Sequence, residues 1–176
     1  LDRWHVFLDS PMAIRASKVY WDYPHLYDEE ATKLRKRVNE MPHLKNLRLT
    51  PTPQESMAIN QIKSGAIIIS ASGMLTGGRI VHHLKNNVSR RGAHIMIVGY
   101  QADGTLGRKL VDGAPTVKIH GKEYKVKAHV HTVGGLSAHA DADDLMRWMH
   151  NFRSNPQVHV VHGETEAKRA FRDRLE

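Results

Sequence analysis

Ala66-Ile67-Ile68-Ile69-Ser70-Ala71-Ser72-Gly73-Met74-Leu75-Thr76-Gly77-Gly78-Arg79 passes from an unbroken β-branched run into a loop of small residues. A continuously apolar run of this kind reads as a strand inside a parallel sheet covered on both faces. The helical stretch Ile80 to Asn87 follows, and then a second apolar run, His94-Ile95-Met96-Ile97-Val98-Gly99-Tyr100. Strand, helix and strand at this spacing imply βαβ units, so the expected fold class is α/β with a parallel sheet.

Upstream, Trp4-His5-Val6-Phe7-Leu8 reads as a strand that hands over at Asp9-Ser10-Pro11-Met12 to a helix from Ala13 to Tyr20. Pro11 suits a helix start, since the first turn has no use for its missing N–H. A charged helix is expected from Asp28 to about Met41, opening with acids and closing with bases in the order that complements the helix dipole. Leu47 to Thr50 is a short strand and Gln54 to Lys63 a short helix. Downstream, Thr116 to Ile119 and Tyr124 to Lys127 alternate apolar and polar residues around Gly121, the pattern of an antiparallel hairpin with one wet face. Leu145, Trp148, Met149 and Phe152 recur at helical spacing, and Val158-His159-Val160-Val161 reads as a strand ending at His162. The change of pattern near Gly113 places a domain boundary there.

The 176 residues suffice for one domain or two small ones, and a hydrophobic fraction of 40% supplies a core. With no cysteine, disulfides and thiolate metal sites are excluded, which suits a reducing cytoplasm. No apolar stretch has membrane-spanning length. Lys and Arg number 26 against 18 Asp and Glu, a net charge of +8 that suggests a polyanionic partner. The abrupt strand at the start, and the helical pattern from Glu166 still running at Glu176, read as a piece of a longer protein.

Four places carry candidate chemistry. Small residues at the end of the Ala66 strand (Ser72, Gly73, Gly77, Gly78) let an anion reach backbone N–H groups at a helix start, where Arg79 could add a bidentate clamp; tight turn packing explains the same residues. Gly99-Tyr100-Gln101-Ala102-Asp103-Gly104-Thr105-Leu106-Gly107 ends the next strand and is either a second wall of that cleft or a plain connection. His82 and His83 point about 100° apart on a helix, so they do not form one metal face; either one reaches the cleft or, the favoured reading, they are an ordinary surface pair. The last place holds two histidines, in Gly134-Gly135-Leu136-Ser137-Ala138-His139-Ala140-Asp141 and Val161-His162-Gly163-Glu164. Asp141 reads as an N-cap with Asp144 completing a capping box. A helix start disfavours a charged imidazole, so His139 acting as an acid needs an anion beside it. Two histidines do not make a catalytic zinc centre, and neither HxHxD nor HExxH occurs in the chain.

Leu8-Asp9-Ser10-Pro11-Met12-Ala13, Ala71-Ser72-Gly73-Met74 with Gly77-Gly78-Arg79, Gly99-Tyr100-Gln101 with Gly104-Thr105-Leu106-Gly107, and the two histidine segments stand in an order that resembles the C-terminal half of β-CASP ribonucleases. These are the RNA-processing branch of the metallo-β-lactamase superfamily. The resemblance covers essentially the whole chain. It implies most of a parallel-sheet β-CASP cap over residues 1–113 and, over 114–176, the returning C-terminal part of a metallo-β-lactamase (αββα) domain.

It further implies a zinc-dependent ribonuclease hydrolysing RNA phosphodiester bonds. His162 would be a zinc ligand, one of a set for two ions, with Glu164 behind it. His139 would contact the scissile phosphate and protonate the leaving oxygen, beside Ser137 and oriented by Asp141. Ser72, Gly73, Gly78, Arg79 and His82 would follow the backbone of single-stranded RNA. The HxHxDH zinc motif of the N-terminal metallo-β-lactamase half would precede Leu1, so this stretch alone would be inactive. A homodimer is among the assemblies the resemblance allows. The alternative is a non-catalytic nucleic-acid-binding or scaffold module of the same family.

Overall fold

β1 (His5–Leu8) forms the middle of a parallel three-stranded sheet, flanked by β2 (Leu47–Leu49) and β3 (Ala66–Ile69). The computed structural model describes residues 4–36, 46–136 and 139–176. Val6 and Phe7 are buried in β1. At its carboxyl end Ser10 caps α1 (Pro11–Asp22), its hydroxyl accepting from Ala13 N at 3.3 Å with Pro11 in the first turn. Asp28 accepts from Ala31 N at 2.7 Å at the start of α2 (Glu29–Lys36). The rest of the charged helix expected towards Met41 lies outside the described residues. α3 (Pro53–Ile59) opens on a capping box between Thr52 and Glu55.

The chain packs as two compact units, Leu1–Val133 and Gly134–Glu176. The main core of the first is built on α4 (Arg79–Asn87), whose Val81 and Leu84 fall with the C-cap residue Val88 on one face at helical spacing. Against them pack Ile97 of β4 (His94–Ile97), Leu110 of α5 (Leu106–Val111), and Val117 and Ile119 of β5 (Thr116–Ile119). β5 and β6 (Lys122–Lys125) form the expected antiparallel hairpin, with Lys118 on its wet face. Its turn places His120 and Gly121 at φ +47° and +78°, the left-handed pair that a two-residue hairpin loop requires.

Two expectations about the strands need correction. β3 and β4 do not share a sheet: β4 pairs in parallel with β7 (His129–Thr132), while β3 pairs with β1. The reason lies in the core, where Ile95, Ile97 and Val130 pack with the hairpin and draw β4 and β7 together over it. Nor are the apolar runs covered on both faces. Ile67 and Ile69 of β3 and Met96 of β4 are exposed.

In the second unit, α6 (Ala142–Met149) and α7 (Thr165–Leu175) are joined by an ion pair, Arg174 Nη2 to Asp143 Oδ1 at 2.6 Å. Trp148 and Phe152 meet edge to face at 4.9 Å. None of this unit's described residues is buried. The run Val158 to Val161 is not a strand, because no described segment offers it a ladder. Among the described residues no helix is long and apolar enough to cross a membrane.

Candidate nucleic-acid cleft and histidine loops

Asp9 follows the last residue of β1 and is completely buried. A buried carboxylate is costly unless its lone pairs are used, and here they are. Oδ1 accepts from Thr50 Oγ1 at 2.7 Å and Arg79 Nη1 at 2.7 Å, and Oδ2 from Ser56 Oγ at 2.6 Å. His83 Nε2 lies 2.6 Å from Oδ2, and Ser70 Oγ donates to the Asp9 carbonyl at 2.9 Å. Burial raises the Asp9 pKa, but the hydrogen bonds from Ser56, His83, Thr50 and Arg79 outweigh it and hold the carboxyl below its ordinary value. Five segments are thereby tied at the carboxyl ends of the parallel strands, where α/β sheets build sites.

His83 is therefore no surface residue, contrary to expectation: it points inward while His82 stays exposed. Arg79 also turns inward, its Nη1 and Nη2 donating to the carbonyls of Thr50 and Pro51 besides Asp9. Its charge is largely matched by Asp9, so it shapes the loop more than it attracts an anion. The loop closes on itself through Ser72 N to Gly77 O at 3.1 Å, Thr76 N to Ser72 Oγ at 3.2 Å and Ile80 N to Ala71 O at 3.2 Å. Gly78, at φ +76°, precedes α4; a Cβ there would meet Ala71 O at 2.5 Å.

The two glycine loops are neighbours. Gln101 Nε2 donates to Gly73 O at 2.9 Å, and Gly107 N to Met74 O at 3.2 Å. With the hairpin turn they enclose an open cleft of about 480 Å³, whose polar lining includes Thr76, Arg79, His82, Thr105, Lys118 and His120. His82 and His120 rings sit 5.0 Å apart, centroid to centroid. The cleft thus presents glycine backbone, the start of α4, the Lys118 ammonium and the imidazoles of His82 and His120, a combination suited to phosphate. Lys118 and His120 were not legible as cleft residues, since only the hairpin's packing brings them to His82. Ser72, Gly73 and Gly78 belong to the loop that bounds it.

In the second unit His139 lies just before α6 and is exposed; Ser137 lies outside the described residues. Asp141 caps α6 as expected, accepting from Asp144 N at 2.8 Å while Asp144 Oδ2 accepts from Asp141 N at 3.4 Å. His162 has φ +66° and Gly163 +88°, so the histidine sits in a left-handed bend that few side chains adopt. Glu164 occupies the N-cap position of α7.

Comparison with known proteins converges on one family. Residues 1–110 match the Beta-Casp domain, and residues 123–176 match the Zn-dependent metallo-hydrolase RNA specificity domain. The chain is 36% identical to ribonuclease TTHA0252 of Thermus thermophilus over 94% of its own length and 38% of that protein's. It is 32% identical to transcription termination factor FttA of Pyrococcus abyssi, over 92% of this chain and 26% of that one. An RNase J-like protein of Methanocaldococcus jannaschii is 29% identical over 90% of this chain and 35% of its own. The chain thus spans well under half the length of these relatives. With both domain matches along its length, the chain belongs to the β-CASP ribonucleases of the metallo-β-lactamase superfamily.

Proposed function

We propose that the protein is a zinc-dependent nuclease that hydrolyses phosphodiester bonds of single-stranded RNA, working in the cytoplasm. Residues 1–113 serve as the β-CASP part and 114–176 as the returning metallo-β-lactamase segment. The observation that carries the RNA reading is the polar cleft between the two glycine loops, lined by Lys118 and the imidazoles of His82 and His120 beside the start of α4. A backbone of closely spaced phosphates suits such a groove, and an RNA-specificity domain in the same chain supports that choice. Ser72, Gly73 and Gly78 let the strand approach main-chain N–H groups. Arg79, tied to Asp9, holds the loop in shape for it.

Zinc is the family's metal, but the residues present do not make a zinc centre by themselves. Among the described residues no three His, Cys, Asp or Glu side chains gather to hold an ion. His162 is therefore offered as a single ligand, with Glu164 beside it in sequence, and the remaining ligands would come from beyond these 176 residues. His139 is assigned to the phosphate, giving a proton to the leaving oxygen as the P–O bond breaks. Asp141 fixes the loop that carries His139 by capping α6.

In the complete protein, His139→Ala is expected to lower RNA cleavage while leaving zinc content intact, and His162→Ala to lower both. Equal zinc loss in the two variants would undo the division of roles. The 176-residue chain alone is expected not to cleave RNA, and robust zinc-dependent cleavage by it would overturn the single-ligand assignment. Unchanged cleavage in both variants would remove His139 and His162 from the chemistry, and RNA binding without any cleavage by the complete protein would leave a binding or scaffold module.

A further inference from the structure

His82, Lys118 and His120 reach the cleft from three places: α4, the strand β5 and the hairpin turn after it. The rings of His82 and His120 stand 5.0 Å apart between centroids, inclined at 55°. All three residues are exposed.

The charge of this lining is one-sided. Besides the two imidazoles it holds Lys118 and Arg79, and no Asp or Glu among the described residues. Arg79 is already paired with Asp9. The neighbouring acids stand outside the lining: Asp103 accepts from Gly104 N at 3.0 Å, Glu123 lies opposite Lys118 in the hairpin register, and Asp112 of α5 pairs with Arg108. On the same elements Lys85 follows His82 by one helical turn, and Lys122 lies opposite Ile119.

An imidazole gains or loses its proton between about pH 5 and 8. A negative charge beside it favours the protonated ring. The lining has none to offer, and a phosphate entering the cleft supplies one. Linkage is reciprocal, so a proton that the phosphate draws onto a ring tightens the phosphate in turn.

We propose that His82 and His120 form a proton-linked phosphate subsite for the backbone of single-stranded RNA, so that RNA binding takes up protons and strengthens as pH falls. This rests on the cleft being the path of the RNA. The sign follows from the balance of protons: rings charged more in the complex than in the free chain make affinity rise towards acid, by at most about tenfold per pH unit for each proton taken up. Lysine keeps its charge across this range, so Lys118 adds affinity without the pH dependence.

The test is fluorescence anisotropy of a labelled oligouridylate with the 176-residue chain, at constant ionic strength, from about pH 5 to 8. Uracil does not titrate there, and a chain that does not cleave lets binding be read at equilibrium. Affinity is expected to rise about tenfold or more from the alkaline to the acid end. The rise should be shallower in His82→Gln and in His120→Asn, and mostly lost in the double variant. Asparagine is chosen at position 120 because it tolerates the left-handed turn, and melting of each variant checks its fold. Lys118→Gln should weaken binding across the whole range. Affinity independent of pH in the parent chain, with binding still weakened by Lys118→Gln, would overturn the proton linkage and leave the cleft as the path of the RNA. A pH dependence kept whole in the double variant would overturn it as well, by placing the titrating groups elsewhere. RNA affinity unmoved by Lys118→Gln and by both histidine changes would remove the cleft itself from that path.

Discussion

The polar residues around Asp9 and those around His139 and His162 are organised in opposite ways. Asp9 is buried, and Thr50, Ser56, Arg79 and His83 all reach it from other segments. The loops of His139 and His162 belong to a unit in which no described residue is buried. In the first region each side chain's role is fixed by its neighbours, because a buried polar group must be satisfied or destabilise the fold. In the second, helix caps and exposed ion pairs such as Arg174–Asp143 hold the described elements. Geometry therefore assigns Asp9 a structural task, whereas the tasks of His139 and His162 are proposals that packing does not supply.

The sharpest way to break this contrast is at Asp9. Asp9→Asn keeps the size but removes the charge that matches Arg79, and it cannot accept all four hydrogen bonds. Breaking a buried ion pair on one side costs about 3–5 kcal/mol, and urea unfolding of the first unit should show a loss of that order. The pH dependence follows in sign. Asp9 titrates below its ordinary value near 3.8 in the folded chain, so its contribution is present above that value and lost as pH falls through the lower folded one. Asp9→Asn should flatten this acid limb. A variant with parental stability would place the network among dispensable contacts and erase the contrast.

A smaller effect is expected at Gly78, where the loop meets α4. Alanine there must adopt φ +76° and set its Cβ 2.5 Å from Ala71 O. Held strain of this kind costs about 1–3 kcal/mol. Because Gly78 also bounds the cleft, Gly78→Ala should weaken binding of single-stranded RNA alongside the shift in unfolding midpoint. Lost stability with parental RNA affinity would separate the loop from the groove.

What the sequence disclosed follows the same divide. The strands at Val6 and Ala66, the hairpin at Gly121, the helix start at Pro11 and the cap at Asp141 were legible because each depends on residues a few positions apart. The choice of partners was not. A β-branched run says that a strand exists, not which edge it joins, so the pairing of β4 with β7 was invisible. The same holds for His83, which meets a carboxylate 74 positions upstream, and for His82 and His120. Val158 to Val161 has the composition of a strand but no ladder among the described residues. The two histidine segments were legible as motifs, since their signal lies in residue order and not in packing.

Asp141 offers the finest cut between the two kinds of region, because a cap and a catalytic carboxylate make different demands. As a cap it needs only a side-chain oxygen placed to accept from Asp144 N, which asparagine also provides. Asp141→Asn should therefore leave the stability of α6 nearly unchanged, while Asp141→Ala should lower it by about 1 kcal/mol, read from helical circular dichroism against temperature. If Asp141 acts on His139 only by holding the loop, cleavage by the complete protein should follow the same order, nearly intact in Asp141→Asn and reduced in Asp141→Ala. A large loss of cleavage in Asp141→Asn, at parental stability, would show that the negative charge itself is used. Asp141 would then stand with His139 in the chemistry and no longer beside Asp9 as a structural acid.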